Sequence, residues 1–290
     1  MWSRAGWTGR LYTGGDVRRG SRRRGTGVWG MDGLDGRIVG LTAPQAVSLF
    51  GGARFGRYLS DAGGDVARAL ALCEWNQRFA GVLHSQLGYV ELAVRNAVDR
   101  RLRLLSEAEM GSPMWCLPGN APVLVNRLVR GQLDMARRRA QGDAAARAGR
   151  GSHRGDAAVA HDDVLAQLMW GTWVKLIGFP VSDGRTEVQR MLWGAAVRSA
   201  FPRVPDGEAG RIMVARRVEY VRLVRNSEAH FDNLYAEAFR INRVVGSMMS
   251  LLAGIDPALT RCLDAGLLRA TARRLRVLLP GDGSVAVAPV

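Results

Sequence analysis

The chain predicts an all-α fold, a bundle of amphipathic helices. Three observations carry this expectation. Between residues 65 and 105 apolar residues recur at steps of three and four, the period of one helix face. No segment alternates apolar and polar residues for long, as a half-buried strand would. Asp, Gly and Pro fall where helices need caps and stops.

In order, residues 43–60 read as one or two short helices that end at Gly63-Gly64. Asp65 then caps a long helix running to about Leu105, whose core stripe holds Leu72, Trp75, Phe79, Leu83, Val90 and Val94. Pro113, Pro118, Gly119 and Pro122 mark a loop, and residues 123–140 return to helix. Residues 141–156 are rich in Ala, Arg and Gly and read as a flexible crossing. Asp162 or Asp163 opens the next helix, with Leu165, Leu168, Met169, Thr172 and Leu176 on one side and Pro180 beyond its end. A helix near 186–200 precedes a Pro-Arg-Val-Pro-Asp-Gly turn, and 207–229 and 236–253 are two more helices. Asp256-Pro257 suits the N-cap and first position of a last helix to about Leu278. One domain is therefore expected over 41–279, between a basic, Gly/Arg-rich, disordered segment at 1–40 and a loose tail at 280–290.

Within that first segment, residues 1–30 carry seven arginines against one aspartate, with Trp2, Trp7, Tyr12 and Trp29 interspersed. Two readings stay open: a basic aromatic arm that wraps nucleic acid, or an untranslated stretch upstream of a true start at Met31.

The formal net charge is +15, from 41 basic and 26 acidic residues, and only one of the basic residues, Lys175, is lysine. Such a balance favours a polyanionic partner, with nucleic acid ahead of an anionic membrane surface, and arginine suits phosphate better than lysine does. A solvated surface that merely reflects an arginine-rich composition accounts for the same numbers. No apolar run approaches a membrane span of about 18 residues, and no apolar stretch follows the basic N-terminus as in a secretory signal. Cys73, Cys116 and Cys262 are too few and too far apart for a disulfide framework or a CxxC metal site. A reducing cytoplasm is the expected compartment. Nucleotide-binding loops, HExxH, GxSxG and dinucleotide fingerprints are missing, so no metal or cofactor is expected.

Of the four histidines, His84, His153 and His161 are expected to be structural or merely exposed. His230 stands in different company, Arg225-Asn226-Ser227-Glu228-Ala229-His230. An Arg five residues before a His is expected roughly 0.5 times by chance here, and requiring Asn after the Arg lowers this to roughly 0.01. Histidine moves protons near neutral pH, arginine grips phosphate oxygens in pairs, and an asparagine amide orients its neighbours. Asn226 and His230 share a helix face, whereas Arg225 and His230 lie about 140° apart on a straight helix. Either the helix ends between them or two copies of the motif combine. A plainer reading pairs Arg225 with Glu228 and leaves His230 as a helix-end cation. Similarly, Glu91 and Arg95 are spaced for a surface salt bridge, or else they support the motif together with Asn96. Trp75, Trp170, Trp173 and Trp193 read as core rather than as stacking platforms.

The Arg-Asn-x-x-x-His motif resembles the signature of HEPN domains. Arg57-Tyr58-Leu59, Gly63-Gly64-Asp65, Glu74-Trp75-Asn76 and the block from Leu87 to Ala97 resemble the opening of Abi-like (abortive infection) proteins. Asp163-Val164 with Gly171-Thr172-Trp173, then Leu192-Trp193 through Phe201-Pro202, follow in the order of that family, so the resemblance covers roughly residues 50–245. It implies a HEPN-like fold and a metal-independent endoribonuclease. The chemistry of the side chains assigns proton transfer to His230, phosphate binding to Arg225 and orientation to Asn226, and Arg222 is expected to bind RNA. The resemblance further implies a homodimer joined through the motif and a part in abortive infection or toxin-like defence, with an antitoxin as a further partner. Many members continue with a second histidine and Glu-Pro, where this chain has Phe231-Asp232-Asn233. A non-catalytic helical module that binds RNA or a protein is the alternative reading.

Overall fold

The computed structural model describes residues 38, 40–149, 158–178 and 185–279. The expectations for residues 1–37 and for the tail after 279, and that for His153, lie outside these. Among the described residues every regular element is helical. The helices are α1 (Ala43–Phe50), α2 (Gly52–Asp61), α3 (Val66–Met110), α4 (Val123–Ala148), α5 (His161–Ala166) and α6 (Trp170–Ile177). They continue with α7 (Arg185–Ala195), α8 (Gly207–Ala229), α9 (Tyr235–Phe239), α10 (Ile241–Ile255), α11 (Ala265–Arg273) and α12 (Leu275–Leu278), and 3-10 turns span Val197–Ala200 and Pro257–Cys262.

α3 is the spine, about 68 Å long at 1.5 Å per residue. Asp65 caps it as expected, its carboxylate accepting the Arg68 N–H at 3.1 Å. Its stripe from Leu72 to Val98 is buried, with Val82 at the margin. α2, α10, α11 and α12 pack on α3, α8 lies against α3, α6, α7 and α10, and α4 meets α5, α6 and α7. No helix of the described residues is long and apolar enough to cross a membrane.

Several expected helices are broken or extended. α4 continues to Ala148, eight residues into the stretch read as a flexible crossing. The single helix expected from Asp162 is two, because Met169 is extended and exposed at the start of α6 rather than part of an apolar side. The break lets the buried Trp170 indole donate to the Val218 carbonyl of α8 at 3.0 Å, a tertiary bond that outweighs local periodicity. The helix expected at 186–200 is α7 followed by a 3-10 turn, and that expected at 236–253 is α9 and α10, parted at Arg240. Asp256 does cap, accepting the Ala258 N–H at 2.8 Å, but only for a 3-10 turn. The last helix restarts at α11 because the buried Gln86 side chain takes the Asp264 N–H at 2.8 Å and Asp264 in turn caps Leu267.

His161 is structural, as expected. Its Nε2–H donates to Asp99 at 2.9 Å and its Nδ1 accepts the Cys116 N–H at 3.5 Å, inside the fold. Asp99 also receives Arg103 and the Trp115 indole, each at 2.8 Å. Burial opposes the charge on Asp99, but hydrogen bonds from His161, Arg103 and Trp115 outweigh it and hold the carboxyl below its ordinary 3.8. A carboxyl depressed by folding adds stability above its ordinary value and loses it as pH falls through the lower folded value. Asp99→Asn is therefore expected to lower the urea midpoint at pH 7, with the gap to the native chain closing below pH 3.8. A gap that ignores pH would mean the charge contributes nothing.

Candidate functional site

α8 carries the motif and buries Val214, Val218, Val221 and Val224 against the core. That face turns the side chains of Arg222, Arg225 and Asn226 into a crevice of about 540 Å³ between α4, α6 and α8. Arg139 of α4 and Lys175 of α6 bring the cations at its walls to four, and no carboxylate is among the residues that line it. Arg222 is forked onto Glu219, at 2.7 and 2.6 Å. The Arg225 guanidinium makes no hydrogen bond or ion pair among the described residues. The pairing with Glu228 does not form, because Glu228 faces α3, where His84 stands 3.2 Å from its carboxylate.

Two buried contacts hold the walls of the crevice in register. One is the Trp170–Val218 bond. The other is Arg211, fully buried on α8, whose Nη1 donates to the carbonyls of Ile177 and Gly178 at 3.0 and 2.6 Å. Its other nitrogens bond Glu208 at 2.7 and 2.6 Å. Hydrogen bonds from Arg211 lead the effects that hold the Glu208 carboxyl below the usual carboxylate range. Gly178 ends α6 at φ +79, and a Cβ there would stand 2.0 Å from the Gln189 side chain.

His230 occupies another position. It is the exposed cap residue at the end of α8 and is not among the residues that line the crevice. Arg225 lines the crevice with Arg222 and Asn226, whereas His230 lies outside it. The helix thus runs through Arg225 and ends just before His230. A Schellman motif closes it: Phe231 N–H bonds Glu228 O at 3.1 Å and Asp232 N–H bonds Ser227 O at 2.9 Å. The left-handed position of that motif, usually glycine, is held by Phe231 at φ +55, a residue 54% exposed. Buried Asn76 of α3 stabilises the turn, donating to Asp232 O at 3.0 Å and accepting the buried Leu234 N–H at 2.9 Å. Asn76→Ala is expected to lower stability by about 1–3 kcal/mol, read by urea denaturation, because both groups lose their partner. An unchanged midpoint would remove Asn76 from this role.

Beside His230 lies a second, smaller crevice of about 290 Å³, lined by Arg54, Arg57 and Tyr58 of α2 with Phe231, Asp232 and Asn233. Arg54 Nη2 donates to the His230 carbonyl at 3.3 Å.

Glu91, Arg95 and Asn96 make no bond to Arg225, Asn226 or His230 among the described residues. The expected Glu91–Arg95 bridge is not formed either, since Arg95 Nε donates to its neighbour Asn96 at 3.2 Å. Trp75, Trp170, Trp173 and Trp193 are buried, as expected. Arg139, Lys175, Arg54 and Arg57 join the two crevices without having been singled out as site residues. They come from α2, α4 and α6, and only tertiary packing brings them to the C-terminal end of α8. The chain matches no family model, curated protein or solved structure.

Proposed function

We propose that the chain is a metal-independent endoribonuclease of the HEPN and Abi-like kind, acting in abortive-infection or toxin-like defence. The observation that carries the proposal is the carboxylate-free crevice in which Arg225 and Asn226 of the motif meet two further cations from other helices. Concentrated positive charge with an unpaired guanidinium suits the phosphate of RNA and the extra charge of its transition state. The resemblance of residues 50–245 to Abi-like proteins supports the same reading.

In the reaction, the ribose 2′-oxygen bonds to phosphorus as the bond from phosphorus to the 5′-oxygen breaks. The 2′-hydroxyl proton passes to a base and the leaving 5′-oxygen gains a proton from an acid, giving a 2′,3′-cyclic phosphate and a 5′-hydroxyl. His230 transfers the protons, Arg225 neutralises the phosphate and Asn226 orients the site. Because His230 is not among the residues lining the crevice that holds Arg225, the working site combines the crevice of one copy with the His230 of a second, in a homodimer.

The test is incubation of the purified chain with RNA in excess chelator, with analysis of product ends and light scattering of the protein. The expected result is a dimer and fragments ending in 2′,3′-cyclic phosphate. RNA that is bound but left intact would overturn the nuclease in favour of a non-catalytic binding module. One observation favours that second reading, the absence of His230 from the crevice lining.

A further inference from the structure

The same crevice has a part that phosphate chemistry does not require. Between the cations its walls include two apolar side chains, Met135 of α4 and Met169 at the start of α6. Met135 and Met169 are 46% and 52% exposed and come from different helices. Two glycines complete the lining, Gly131 of α4 and Gly171 of α6. Neither has a left-handed φ, and a Cβ added at either would meet nothing within 4 Å. The space a side chain would take at either position is open. Its volume of about 540 Å³ lies within the roughly 300–1,000 Å³ typical of ligand pockets.

Amides stand between the apolar walls and the cations. Gln132 and Asn226 make no side-chain hydrogen bond among the described residues, so both offer a donor and an acceptor. Gln167 gives its amide N–H to Asp143 at 2.7 Å, which leaves its oxygen as an acceptor. A slot with polarizable methionine sides, an amide edge and adjoining guanidinium groups matches one unstacked nucleotide: flat ring, hydrogen-bonding edge, phosphate.

We infer that this crevice is a base-accepting subsite, in which one nucleobase of single-stranded RNA, turned out of its stack, lies between Met135 and Met169 while its phosphate meets Arg225. The inference rests on the reading of the chain as an RNA-acting protein and adds that it reads a base as well as a backbone.

The test uses a 2′-O-methyl trinucleotide, which has no attacking hydroxyl, and the same trinucleotide lacking its central base, with affinities from fluorescence anisotropy. The native chain is expected to bind the intact probe about tenfold more tightly than the abasic one, the order of one stacked base. Gly171→Leu fills the slot and is expected to erase that ratio while leaving abasic affinity and thermal midpoint unlowered. Gly131→Leu, on the opposite wall, is expected to do the same and serves where the first variant folds poorly. Arg225→Ala is expected to weaken both probes alike. Equal binding of the two probes by the native chain, or a tenfold ratio that survives in a folded leucine variant, would overturn the subsite. Cleavage assays separate the two ideas: undiminished RNA cutting without base preference removes the subsite and keeps the nuclease. Base preference without cutting keeps the subsite and removes the nuclease.

Discussion

Replacing His230 by alanine is expected to lower RNA cleavage by about 10²–10⁴-fold, the span of a positioned general acid or base. The fold should not suffer, because the imidazole is exposed at the end of α8 and only the main chain of His230 is bonded, to Asn226 and to Arg54. Arg225→Ala is expected to cost about 10²–10³-fold, as for loss of one group that stabilises developing charge. It too should leave stability nearly untouched, since the Arg225 guanidinium has no hydrogen-bond or ion-pair partner among the described residues. Arg225→Lys keeps the charge but not the planar fork and is expected to fall between the two. Urea midpoints measured beside the rates separate loss of chemistry from loss of fold. Cleavage that survives both alanine variants would remove the motif from the reaction.

Arg211→Met is expected to act by a different route, through the fold. The side chain is fully buried and its loss leaves the Ile177 and Gly178 carbonyls without their donor. Two buried acceptors left unsatisfied cost about 3 kcal/mol or more. For a chain of this size that corresponds to a drop in thermal midpoint of about 10 °C. Glu208 is partly exposed and keeps Arg190 at 3.2 Å, so it adds little to the loss. Because Arg211 ties the end of α6 to α8, the variant should also loosen the crevice and weaken RNA binding, although Arg211 does not line it. A midpoint within 2–3 °C of the native one, roughly the effect of 1 kcal/mol, would show that the buried guanidinium is dispensable.

The parts of the fold that local chemistry decides are legible in the sequence. Asp65 followed by an unbroken apolar stripe specifies α3, and the Arg-Asn-x-x-x-His string marks the end of α8. The breaks at 167–169 and 263–264 are not legible. They depend on where Trp170 finds the Val218 carbonyl and where Gln86 finds the Asp264 N–H, partners 48 and 178 residues away. The same holds for the site. Arg225 and Asn226 are visible as a string, whereas Lys175 and Arg139 join them only when α4 and α6 pack beside α8. Helical spacing also over-predicts: Arg225–Glu228 and Glu91–Arg95 both satisfy it, yet Glu228 turns to His84 and Arg95 to Asn96.

The central claim is that the guanidinium and the imidazole act on one phosphate from two copies of the chain. Mixing the Arg225→Ala and His230→Ala proteins after subunit exchange tests it most directly. Each alone should be inactive. The mixture should recover about a quarter of the native rate, since half of randomly assorted dimers are mixed and each mixed dimer rebuilds one site of two. A mixture that stays inactive while light scattering shows exchanged dimers would contradict the claim.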